Sequence, residues 1–299
     1  MVLRGRLSPD EMFPAGQPEL RSYHTELASG ISVRVVEAGD PESPPVVFLP
    51  GWGCSAYIFR DTLGPVAAAG HRAIAVDLKG HGLSDKPSAM AEYTLDSMRN
   101  HVIEILDALE IARAPLAGLS MGAALAAHVA AAVPGRVSSL VLVSTVGFDG
   151  VPGLSAFQSI TSGPLIPVLP KVATRSVLRL MLHGVYGKLR TFTERDVDEY
   201  WAPTQFPEFT RALRHLLHEF TWRAPFPELD MPCLVISGTL DHLARGETVE
   251  AVARSRPGMQ MLTVPDAGHV VFDEAPEVVN AAIVDFIGRS LIQPRPLSR

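Results

Sequence analysis

The segment Gly118-Leu119-Ser120-Met121-Gly122 sets one hydroxyl between two glycines, after an apolar stretch and before a run of small residues. A serine on a very sharp strand-to-helix turn needs that spacing, because side chains two positions away would meet neighbouring backbone. The turn pushes the hydroxyl outward, and the helix that starts there aims its positive end at developing negative charge. A serine hydroxyl is a weak nucleophile at neutral pH, so it needs a base within hydrogen-bond reach and a group to orient that base. Asp241 follows a strand-like run in Gly238-Thr239-Leu240-Asp241, and His269 follows the next one in Asp266-Ala267-Gly268-His269. Both lie just past strand carboxyl ends, the edge at which open α/β sheets build their sites. Ser120 as nucleophile, His269 as base and Asp241 as orienting acid could carry out acyl transfer. Asp149, soon after the run Val137–Val143, is the fallback for the acid.

Bringing together groups so far apart in the chain takes a sheet whose strands end side by side. Ser22–Leu27 and Ile31–Glu37 read as strands split by a turn at Ser29-Gly30. Val46–Leu49, Arg72–Val76, Leu116–Gly118, Val137–Val143, Cys233–Ser237 and Met261–Val264 are short apolar runs of the kind buried on both faces. Helical patterns fall between them: Ile58–Ala69, a segment after the N-cap candidate Thr94, Ala123–Val133, and Glu277–Ile287 with Val278, Val279, Ala282, Ile283, Phe286 and Ile287 inward. This alternation predicts an α/β fold, a mostly parallel sheet with helices on both faces. Between Thr145 and about Pro227 it stops, and helical patterns at Val172–Leu182 and Phe209–Phe220 are broken by prolines. The expected organisation is a core over residues 22–145, an inserted helical cap over 146–227 and the rest of the core over 228–290. The Pro-rich first 20 residues read as an arm or a frayed start, and Gln293–Arg299 as loose.

Composition limits the function. With 26 basic against 32 acidic residues and a net charge of -6, the chain lacks the footprint of a nucleic-acid binder. No apolar run approaches the ~18 residues of a membrane span, and the N-terminal Arg4 and Arg6 lead into polar residues, not into the apolar stretch of a secretory peptide. Cys54 and Cys233 are too few for a disulfide framework or a zinc cluster. A soluble cytoplasmic protein acting on a small molecule is the expectation. Gly51-x-Gly53-x-x-Ala56, with Asp77 ending the next strand, imitates a dinucleotide fingerprint. Pro50 interrupts the turn and other strands come first, so no cofactor is assigned to it. Asp77 and His81 read as organisers of their loop, His24, His71, His101 and His128 as surface or packing residues, and His183, His215 and His218 as a solvated helix face sooner than as substrate contacts. His242 and the other histidines are spaced unlike a metal set.

From about residue 22 to 288 the chain resembles the α/β-hydrolase superfamily, in its capped single-domain branch. The resemblance rests on Gly118–Gly122, on the order serine, acid, histidine, and on Asp77-Leu78-Lys79-Gly80-His81-Gly82-Leu83-Ser84-Asp85 after the fourth strand. That family's oxyanion loop usually begins His-Gly, and Pro50-Gly51-Trp52-Gly53 stands in its place. By position, the backbone N–H groups of Trp52 and Met121 would hold the oxyanion. The resemblance implies hydrolysis of a carboxylic ester without metal or organic cofactor. Lactone cleavage, C–C bond hydrolysis and perhydrolysis use the same machinery and stay open, as does a non-catalytic ligand sensor on the same fold. Epoxide hydrolases and haloalkane dehalogenases carry aspartate where Ser120 stands. Leu165, Ile166, Val168, Leu169, Leu180, Met181, Leu182, Tyr200, Trp201, Phe206 and Phe209 of the cap are apolar enough to suggest a hydrophobic acyl or alcohol group, or to pack the cap.

Overall fold

Runs that are apolar at every position become strands with both faces covered. In a computed structural model describing residues 5–162, 173–244, 247–256 and 258–292, the strands are β1 (Arg21–Glu26), β2 (Ser32–Ala38), β3 (Pro45–Leu49), β4 (Arg72–Val76), β5 (Ala114–Leu119), β6 (Val137–Val143), β7 (Cys233–Gly238) and β8 (Met259–Val264). They form one sheet in the order β1-β2-β4-β3-β5-β6-β7-β8. β1 and β2 join antiparallel at one edge, and β4, β3, β5, β6, β7 and β8 run parallel. Side chains alternate between two cores: Val47 and Leu49 enter one, Val46 and Phe48 the other.

Ten helices are described: α1 (Arg60–Ala68), α2 (Leu95–Ala108), α3 (Met121–Ala132), α4 (Leu154–Ile160), α5 (Arg175–Val185), α6 (Glu194–Trp201), α7 (Pro207–Glu219), α8 (Glu247–Ser255), α9 (Val271–Glu274) and α10 (Pro276–Ile292). α2 and α3 pack into one core, α1 and α10 into the other. Thr94 caps α2 by accepting from Ser97 N–H, as its residue type predicts. α3 is buried almost all round, so alanines fit where bulkier side chains would not. Between β6 and β7 the described residues form helices and no strand. None of the described helices is long and apolar enough to cross a membrane.

Several expectations need correction or limits. The N-terminal arm is docked: Met12 and Phe13 are buried, Phe13 N–H donates to Glu199 on α6, and the Arg34 guanidinium of β2 donates to Phe13 C=O. Two adjacent apolar side chains anchor a segment whose prolines suggest looseness. Val278 is 48% exposed, because the inward stripe of α10 runs through Val279, Ile283, Phe286 and Ile287 and leaves position 278 about 100° away from its neighbour. His215 is buried with its ring against Tyr93, not solvated. α5 begins at Arg175, capped by Thr174, and runs on to Val185. Leu165, Ile166, Val168, Leu169, Val172 and Gln293–Arg299 lie outside the described residues.

Candidate active site

Ser120 sits between the end of β5 and the start of α3 with φ 57° and ψ -116°, a backbone region few residues other than glycine adopt. Its N–H donates to Val143 C=O on β6, which fixes the turn to the sheet. The flanking glycines are steric necessities. A Cβ on Gly118 would run into the Gly122 backbone and Ala123 N, and one on Gly122 into the carbonyls of Leu49 and Pro50. Because β3 and β5 are parallel neighbours, with Leu49 opposite Gly118, the loop after β3 leaves the sheet beside the serine. A Cβ on Gly51 would lie 3.2 Å from that of Ser120.

That loop carries Trp52, whose N–H, like that of Met121, donates to no backbone acceptor among the described residues. Gly53 turns it at φ 76°. The Trp52 indole donates to Leu213 C=O at 3.0 Å and meets the half-exposed ring of Phe157 edge-on, tying the loop to α7 and α4. Asp77 holds the far side of the loop. Its carboxylate accepts from Ala56 N–H at 2.7 Å and Leu83 N–H at 2.8 Å and ion-pairs with the buried Arg34 at 2.8 Å. The Asp77 carboxylate thus serves its own loop, and its oxygens exclude a Cβ on Gly82. The buried His81 ring sits 3.2 Å from Lys79 C=O, and burial pushes its pKa down to about 4.

Asp241 follows β7 and His269 follows β8, and the two are bonded. His269 Nδ1 lies 2.9 Å from Oδ2 and 3.1 Å from Oδ1. Oδ1 also accepts from the N–H groups of Leu243 and Ala244, both at 2.9 Å. Burial alone would raise the Asp241 carboxyl, but the His269 hydrogen bond and charge, with those two amides, hold it below its ordinary value. Asp149 is engaged elsewhere: its carboxylate accepts from Thr248 N–H and the Thr248 hydroxyl in the first turn of α8. No hydrogen bond joins Ser120 Oγ to the His269 ring among the described residues; such contacts commonly tighten only when substrate binds.

Ser120, Trp52, Met121, Asp241 and His269 therefore all follow strands that end at one edge of the sheet. The apolar residues of the helical insertion divide into two groups. Leu182, Tyr200 and Phe209 are buried as packing, and Leu180 and Met181 face outward. Phe157 and Leu213, which touch the Trp52 loop, carry no motif that could have marked them. Glu274 and the strip Val185–Lys188, which hold the His269 loop from behind, were equally unmarked.

A family model described as the alpha/beta hydrolase fold matches residues 44–276. The chain is 29% identical over 268 residues to the dihydrolipoyllysine-residue acetyltransferase component of the acetoin cleaving system of Pseudomonas putida, covering 86% of this chain and 67% of that one. Among solved structures, carboxylesterase CesB of Bacillus subtilis is similar with a TM-score of 0.74 and 19% identity, over 90% of this chain and 92% of that one. Haloalkane dehalogenase DbeA of Bradyrhizobium elkani is similar with a TM-score of 0.77 and 23% identity, over 91% and 99%.

Proposed function

The chain belongs to the alpha/beta hydrolase fold family and is a hydrolase of that fold, and from this premise we propose that it cleaves carboxylic esters through an acyl-enzyme on Ser120. The observation that carries the reading is His269 Nδ1 facing both Asp241 oxygens, at the sheet edge where Ser120 is held at positive φ. With Nδ1–H fixed on the carboxylate, the ring's Nε2 is the lone-pair nitrogen. It takes the Ser120 proton as Oγ attacks the carbonyl carbon. The carbonyl oxygen becomes negative and accepts from the N–H groups of Trp52 and Met121. The tetrahedral centre then expels the alcohol, which leaves with the proton from His269. Water, deprotonated by the same nitrogen, attacks the acyl group and releases acid and Ser120. No step requires a metal or an organic cofactor.

Trp52, Phe157 and Leu213 give the oxyanion loop an apolar flank, which supports a substrate with a hydrophobic acyl or alcohol group. The helices between β6 and β7 act as the cap over that substrate. Two free thiols, Cys54 and Cys233, fit a cytoplasmic setting. A hydroxyl at position 120, where the alkylating relatives carry a carboxylate, argues against epoxide and haloalkane substrates.

The test is labelling of the purified protein by a fluorophosphonate, followed by a panel of acetyl and octanoyl esters, lactones and β-dicarbonyl compounds. Labelling that disappears in Ser120→Ala, with turnover of octanoyl above acetyl esters, supports the reading. A folded protein that ignores the probe overturns it in favour of a ligand sensor, and preferential lactone or dicarbonyl cleavage moves the same triad to those substrates.

A further inference from the structure

We infer that Glu274 is a positioning residue for His269, holding the histidine's loop against the helical insertion through a two-amide carboxylate clamp; the inference rests on the serine-hydrolase reading above. Glu274 ends α9, the short helix that follows His269, and is only 5% exposed. Its Oε1 accepts from Gly268 N–H at 2.7 Å, and its Oε2 accepts from Gly187 N–H at 2.6 Å. One amide belongs to the residue just before His269; the other lies just past α5. Backbone bonds run on either side: His269 N–H donates to Val185 C=O at 2.8 Å, and Lys188 N–H to Asp266 C=O at 2.7 Å.

The fit leaves no room for side chains. A Cβ on Gly187 would collide with Asp266 C=O and Gly268 N, one on Gly268 with Gly187 N and Val185 C=O, and one on Gly238 with the carbonyls of Ala267 and Gly268. Three segments, the end of β7, the stretch after α5 and the one before His269, thus meet backbone to backbone. A buried carboxylate is costly unless it is bonded, and here both oxygens are taken by amides. Burial raises the Glu274 carboxyl and the two amides oppose that rise. The other charges around this knot are Asp241 on the imidazole and Asp273, held by Arg60 and Tyr186. Arg190, Asp61 and Glu277 line the surface groove that Glu274 also borders. Glu274 therefore sets the backbone from which the His269 ring projects.

Glu274→Gln tests this, since an amide NH2 cannot accept from a backbone N–H. The expected result is a folded variant with kcat on a nitrophenyl ester about tenfold or more lower and KM little changed. The NMR resonances of the His269 ring move, because the ring is set at a different angle. Glu274→Asp shortens the reach, so kcat falls there too. A folded Glu274→Gln with wild-type kcat and unmoved His269 resonances overturns the inference. If Glu274→Gln does not fold, Glu274→Asp decides: lowered kcat supports the clamp and wild-type kcat overturns it. Wild-type protein inert to fluorophosphonate defeats the parent reading instead, and the His269 resonances alone then decide whether Glu274 positions His269.

Discussion

Both oxygens of Asp241 face Nδ1 of His269, at 2.9 and 3.1 Å, and two backbone amides stop the carboxylate from rotating away. That arrangement fixes the tautomer in which Nε2 carries the lone pair. Asp241→Asn places an NH2 where Nδ1–H must donate and favours the wrong tautomer. Ester kcat is expected to fall by about 10⁴-fold with circular dichroism unchanged. Asp149→Asn, which loosens only the Thr248 contact at the start of α8, should lower Tm and leave kcat within a few-fold. Interchanged effects in steady-state kinetics would hand the acid role to Asp149.

The pH dependence follows from the same pair. The folded Asp241 carboxyl is depressed, so its contribution to stability is present above its unfolded value and lost as pH falls through the folded one. The window of that loss lies below about pH 4. Between about pH 8 and about pH 5 Asp241 therefore stays ionised, and a general-base mechanism predicts activity lost on acidification. kcat/KM should decline over that span with unchanged circular dichroism. A flat profile would remove His269 from the base's role.

Glycine positions offer a steric test of the serine turn. A methyl at Gly122 would enter the carbonyls of Leu49 and Pro50, so Gly122→Ala must move α3 or the Trp52 loop. Overpacking of this kind costs about 1–3 kcal/mol, read as a lower denaturation midpoint, and kcat should fall with it because the Trp52 and Met121 amides shift. Gly288→Ala is the counterpart: it lies inside α10 with nothing within 4 Å of the new methyl. It should gain about 0.5–1 kcal/mol and leave kcat alone. Equal effects from the two would mean that the serine turn is not tight.

What could be read from residues alone was whatever local pattern enforces. β4 and β6 fall where short β-branched runs put them, and Thr94 caps α2 because a hydroxyl before an apolar-periodic stretch has a backbone N–H to serve. Ser120, Asp241 and His269 stood out because each follows a strand. What stayed hidden depends on partners distant in the chain. Nothing near Glu274 announces that its carboxylate will meet Gly187, 87 residues away. His215 looked solvated until Tyr93 covered it, and Val278 looked like core until the phase of α10 turned it outward. That Asp149 would bond Thr248, 99 residues away, was equally hidden.

The N-terminal arm gives the clearest case in which packing overrides composition. Phe13 is 2% exposed, its ring stands edge-on to Tyr57 at 5.7 Å, and its backbone joins Glu199 on α6 to Arg34 on β2. Tyr57 in turn donates to Asp196 on α6 and lies only a few residues beyond the Trp52 loop. Phe13→Ala removes the ring and leaves a cavity between the sheet and the helical insertion, at a cost of about 3–5 kcal/mol for a buried phenylalanine. Urea denaturation should show a lower midpoint with an unchanged slope, because the surface exposed on unfolding hardly changes. A loss under about 1 kcal/mol would mean that the arm is undocked in solution, as its prolines and polar residues alone would suggest.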